Sequence, residues 1–86
     1  MIEGVIITKL KKIDDDRGSV ITMLRSDAEV FKSFGEIYFS TIFNNSIKAW
    51  HLHKKAILNY ACINGKVKLV LFDDRIGSKT FGCYNE

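Results

Sequence analysis

Asn64-Gly65 stands between two apolar runs, Ile57–Ile63 and Lys66–Phe72, and no other feature of the sequence narrows the fold as much. Asn and Gly tolerate the left-handed backbone of a two-residue hairpin turn, so the pair predicts that the two runs fold back on each other as antiparallel strands. The same two-residue apolar period recurs along the chain. Gly4–Leu10 is rich in β-branched residues, Ser19–Leu24 is extended in pattern, and Glu36–Phe43 (EIYFSTIF) is aromatic and β-branched throughout. Lys48–His53 reads as a further short strand, and Thr80–Tyr84 as the start of a last one. Between them, Asp14-Asp15-Asp16-Arg17-Gly18 is a turn whose carboxylates cap nearby backbone. Ser26–Ser33 is the only helical candidate, a short turn with Ser26 as N-cap. Six or seven short strands with almost no helix predict an all-β sandwich or barrel, in one domain spanning residues 1–86.

A single domain of 86 residues buries only about 60–65% of the surface its unfolded chain exposes, so its core is thin and a second subunit is an expected source of cover. The hydrophobic fraction of 47% excludes a disordered tail. No apolar run approaches the ~18 residues of a membrane span. The segment Met1–Val5 lacks the charged start and apolar stretch of a signal peptide, so the expected location is cytoplasmic, with Cys62 and Cys83 as reduced thiols. The net charge of +3 comes from dispersed lysines rather than a dense basic face interleaved with aromatics, which argues against nucleic acid as a partner.

The segment carrying the most chemical information is Lys48-Ala49-Trp50-His51-Leu52-His53-Lys54-Lys55. On a strand, His51 and His53 project from one face while Trp50 and Leu52 occupy the other. Two imidazoles so placed serve as metal ligands, as acid–base groups, or as incidental polar surface, and spacing alone does not choose among these. Tyr38, Phe39, Phe43 and Tyr60 are read first as barrel-wall packing. Lys54 and Lys55 are rim charges able to steer an anion. The three aspartates lack the loop spacing of a calcium site.

The histidine segment resembles the His-x-His of cupins, but the glutamate that follows in metal-binding cupins is replaced by Leu58, which leaves two neutral ligands where a metal site needs three or more. The fuller resemblance is to the dTDP-4-dehydrorhamnose 3,5-epimerase family of the same barrel superfamily, which uses no metal and no cofactor. Asp15-Asp16-Arg17-Gly18 looks like that family's Asp-x-Arg-Gly turn, Leu52-His53 like its Leu-His, Gly65–Arg75 like its Gly-x-Val-x-Asp-Val-x-Val-Asp-Leu-Arg strand, and Gly77-Ser78-Lys79-Thr80-Phe81-Gly82 like its Gly-Ser-Pro-Thr-Phe-Gly. The form of His51-Leu52-His53-Lys54 is also similar to the sugar 3,4-ketoisomerases, in which both strand histidines move protons.

These resemblances imply an isomerase acting on a dTDP-sugar or related nucleotide sugar. His53 would be the general base with His51 beside it, Arg17 would meet the diphosphate, and Tyr38 and Lys48 would complete the substrate-binding set. Arg17 is expected to approach the histidine face, from a neighbouring subunit if the strands are exchanged. The implied fold is the N-terminal half of a cupin-type jelly roll, a half-barrel completed by oligomerisation as a homodimer with Trp50 and Leu52 at the interface. Three departures bear on activity: the family's arginine before Leu-His falls on Trp50, its enolate-stabilising lysine on Leu58, and its glutamate after the Arg-Gly turn on Thr22. Its catalytic tyrosine and the aspartate orienting the histidine lie in sequence beyond residue 86. Two alternatives stand beside the isomerase: a non-catalytic sugar-nucleotide-binding or interaction subunit, and a metal-binding cupin.

Overall fold

The computed structural model describes residues 1–86. Its hydrogen-bonded β-structure consists of two short antiparallel pairs. β1 (Lys12–Asp15) pairs with β2 (Gly18–Ile21) in the register Lys12↔Ile21, Ile13↔Val20, Asp14↔Ser19 and Asp15↔Gly18. β3 (Leu71–Phe72) pairs with β4 (Tyr84–Asn85) through Leu71↔Asn85 and Phe72↔Tyr84. The chain divides into two units, Met1–Thr22 with Ala61–Glu86, and Met23–Tyr60.

In the first unit, the β1–β2 turn forms where the aspartates predict one, but it is tighter than expected. Asp14 and Asp15 belong to β1, and only Asp16-Arg17 makes the connection. Asp15 Oδ1 accepts from the backbone N–H of Arg17 at 2.8 Å and of Gly18 at 3.2 Å, so a side chain supplies the acceptor that closes the loop. β3 and β4 are joined through a series of tight turns. Ser78 N donates to Arg75 O, Phe81 N to Ser78 O and Cys83 N to Thr80 O, at 3.1, 3.3 and 2.9 Å. Asp73 then exchanges backbone bonds with the returning chain, donating to Cys83 O at 2.9 Å and accepting from Gly82 N at 2.8 Å. Gly82 sits at φ +82°, a left-handed conformation that an L side chain resists, and this lets the chain reverse into β4. Two residues of the whole chain are buried, Ile2 and Asp73, and both lie in this unit.

The second unit is held locally by turns. Ala28 N donates to Arg25 O and Phe31 N to Ala28 O, so the predicted helical stretch Ser26–Ser33 is two successive turns rather than a helix. Ser46 N donates to Phe43 O, with Asn45 at φ 62°. No helix in the chain is long and apolar enough to cross a membrane.

The expected strands Gly4–Leu10, Glu36–Phe43, Lys48–His53 and Ile57–Ile63 form no ladder. Of the run Lys66–Phe72 only its last two residues do, and of Thr80–Tyr84 only Tyr84, which begins β4. The Asn64-Gly65 bend is present with Gly65 at φ +80°, but Asn64 is not in the left-handed region. A two-residue hairpin turn of the expected type needs positive φ at both positions, and without it the flanking runs do not zip together. Phe72 finds its partner twelve residues on, at Tyr84. The unpaired segments keep their strand composition and expose it: Ile37 is 72%, Phe39 79% and Phe43 87% exposed.

Candidate functional site

Arg17 occupies the tip of the β1–β2 connection, with a side chain 86% exposed. Its guanidinium donates to Asp15 Oδ2 at 2.8 Å while its backbone N–H donates to Oδ1 of the same carboxylate. The guanidinium, and after it the backbone N–H, hold the Asp15 carboxyl below its ordinary value. Asp15 therefore aims Arg17 without burying it, leaving guanidinium N–H groups free for an anion. A shallow open groove lies along this hairpin, lined by Ile13, Asp14, Asp15, Arg17, Gly18, Ser19 and Val20.

The other four expected site residues, Tyr38, Lys48, His51 and His53, belong to the second unit, whereas Arg17 belongs to the first. Lys48 reaches back along its own segment: Nζ donates to Ser40 Oγ at 2.9 Å and to the Thr41 carbonyl. Two neutral acceptors fix the ammonium beside the Tyr38–Thr41 stretch without neutralising its charge. Tyr38 is 68% exposed. His51 and His53 are both exposed and lie on no strand, so the shared face expected of their spacing is not set by a ladder in this chain. No carboxylate forms an ion pair with either ring. No group of three His, Cys, Asp or Glu side chains is placed to hold a metal ion.

The densest polar arrangement lies elsewhere, around Asp73. Its carboxylate accepts from Arg75 Nε at 2.9 Å on Oδ1, and on Oδ2 from Arg75 NH2 at 2.9 Å, Ser78 Oγ at 2.6 Å and Thr80 Oγ1 at 2.6 Å. The Arg75 backbone N–H adds a bond to Oδ1 at 3.0 Å. The Arg75 guanidinium first, and then the two hydroxyls, keep Asp73 ionised far below the usual carboxylate range. Asp73 in turn raises Arg75 above its ordinary value. The usable sequence signal for this arrangement was an Asp followed by Arg at +2 and by hydroxyls at +5 and +7, all within reach of one carboxylate once the loop closes.

Two curated relatives match almost the whole chain. The chain is 38% identical over 82 residues to the spore coat polysaccharide biosynthesis protein SpsL of Bacillus subtilis, covering 95% of this chain and 54% of that protein. It is 30% identical over 83 residues to the "Probable low-salt glycan biosynthesis epimerase Agl13" of Haloferax volcanii, covering 94% of this chain and 53% of that protein. The chain thus spans about half the length of the curated relatives it matches. No family model matches the sequence, and no solved structure matches it.

Proposed function

We propose that this chain is the base-bearing half of a nucleotide-sugar epimerase or isomerase of cupin type. The observation that carries the reading is the match, along 95% of the chain, to a polysaccharide-biosynthesis protein, joined by a second match to a protein named as a glycan-biosynthesis epimerase. The substrate is a dTDP-4-keto-6-deoxyhexose or a related nucleotide sugar. The ketone acidifies the neighbouring C–H bonds. His53 removes one such proton, the electron pair moves into an enolate, and His51 or a group from the other half returns a proton to the opposite face or to the adjacent carbon. No atom is gained or lost, and an imidazole, which both accepts and donates a proton, suits such a carrier. Arg17 grips the diphosphate, and Lys48 and Tyr38 flank the sugar.

The same reading accounts for the exposed apolar surface. Within the second unit, Ile37 is 72%, Phe39 79% and Phe43 87% exposed. Strand-forming segments without partners are completed by pairing with another chain. A homodimer closing a jelly-roll barrel, with Trp50 and Leu52 in the contact, supplies that cover. A non-catalytic binding subunit is the second reading, favoured by the placement of His51 and His53 off any strand ladder while Arg17 stands exposed at a hairpin tip. Incubating the purified chain with a dTDP-4-keto-6-deoxyhexose in deuterated water separates the two. Solvent deuterium entering at C3 or C5 supports the isomerase. Bound nucleotide sugar without any exchange supports the binding subunit.

A further inference from the structure

The segment Met1–Val5 carries one backbone–backbone hydrogen bond, Val5 N to Ile2 O, and it is internal. Its attachments to the rest of the first unit all use side chains at sequence separations above seventy. Ile2 N donates to Asn85 Oδ1 at 2.9 Å, Glu3 N to Thr80 Oγ1 at 2.9 Å, Arg75 NH2 to Glu3 O at 2.5 Å, and Lys79 N to Glu3 Oε2 at 2.8 Å. Two of these partners, Arg75 and Thr80, are the groups that Asp73 holds.

We propose that Met1–Val5 is a strap, and that the buried Asp73 carboxylate is the latch that keeps it closed. The chemistry runs through hydroxyl polarity. An ionised carboxylate only accepts, so Thr80 must spend its single O–H on Asp73, which leaves its oxygen lone pairs for the Glu3 N–H. A guanidinium only donates, so Arg75, aligned by Asp73, meets the Glu3 carbonyl. Asp73 thereby presents an acceptor and a donor to the two sides of one residue's backbone, and Glu3 returns its own carboxylate to the Lys79 N–H. Ile2, the only buried apolar side chain in the protein, travels with the strap. Opening releases these bonds together and uncovers Ile2, while β1–β2, which shares none of them, stays paired.

Amide hydrogen exchange by nuclear magnetic resonance on the full chain and two variants tests the latch. In the wild type, the Glu3 and Lys79 amides are protected. In Thr80→Val, which keeps the shape but cannot donate to Asp73 or accept from Glu3, both amides exchange faster by about fivefold or more, the worth of one hydrogen bond. Thr80→Ser, which restores the hydroxyl, returns both to wild-type rates. The β1–β2 amides do not change in either variant. Unprotected Glu3 and Lys79 amides in the wild type, or Thr80→Ser exchanging as fast as Thr80→Val, would overturn the proposal.

Discussion

The Arg75 guanidinium closes on the Asp73 carboxylate with two parallel bonds, Nε to Oδ1 and NH2 to Oδ2, each 2.9 Å long. This fork-to-fork geometry is the strongest ion-pair arrangement available to these groups, and here the Asp73 side chain is completely buried while the Arg75 side chain is 57% exposed. The pair fixes where the chain turns between β3 and β4.

Acid should unfasten this loop. Asp73 ionises far below the 3.8 of a free aspartate. A group whose folded value is depressed adds stability above its unfolded value, and that stability fades as pH falls through and below it. Urea unfolding of the wild type should be insensitive to this carboxyl above about pH 5 and weaken progressively below about pH 4. Asp73→Asn should lower stability at neutral pH and flatten the acid limb. Equal acid limbs in wild type and variant would show that other carboxylates govern it.

In the β1–β2 hairpin, Arg17 is aimed by Asp15 but otherwise free in solvent. Arg17→Ala should weaken dTDP binding by about 1.5–3 kcal/mol, as for hydrogen bonds to a charged group. Titration calorimetry reads this directly. The variant should keep the β1–β2 hairpin, because the loop is closed by Asp15 and the backbone N–H groups rather than by the guanidinium. Unchanged affinity would remove Arg17 from the nucleotide site.

The β1–β2 turn was legible because everything it needs lies within four residues: an aspartate acceptor, a tight connection, and a glycine after it. The β3–β4 pairing was not legible: Leu71–Phe72 and Tyr84 lie within runs of strand pattern, but they are brought together by a polar loop whose hub, Asp73, looks like any turn aspartate. The Asn64-Gly65 hairpin was over-read, because the dipeptide permits the turn but cannot supply both left-handed positions when the flanking runs lack a sheet to join. For the site, the sequence picked out residues that are exposed, and so available, at Arg17, Tyr38, His51 and His53. It could not show Lys48 bonded to Ser40 and Thr41, which depends on how residues 40–48 loop back.

Trp50 is 70% exposed and Leu52 68%, within a segment of strand composition that pairs with nothing in this chain. The proposed homodimer should bury both. Sedimentation at micromolar concentration should give a dimer or larger species. Trp50→Ala should shift the equilibrium toward monomer by about 2 kcal/mol or more, as for an aromatic anchor at the centre of an interface. A wild-type monomer whose behaviour Trp50→Ala leaves unchanged would count against the assembly.

In the proposed function the histidine segment moves protons beside a sugar ketone. The direct measurement is the rate of solvent deuterium incorporation into a dTDP-4-keto-6-deoxyhexose, for the wild type, His53→Asn and His51→Asn. The wild-type chain should show slow but measurable exchange, with little net epimerised product. His53→Asn should lose about a hundredfold or more, the usual scale of one general base. A comparable loss in His51→Asn assigns exchange between adjacent carbons to the pair. Wild-type exchange no faster than buffer while nucleotide sugar is bound, or exchange indifferent to both substitutions, would rule out proton transfer by these histidines.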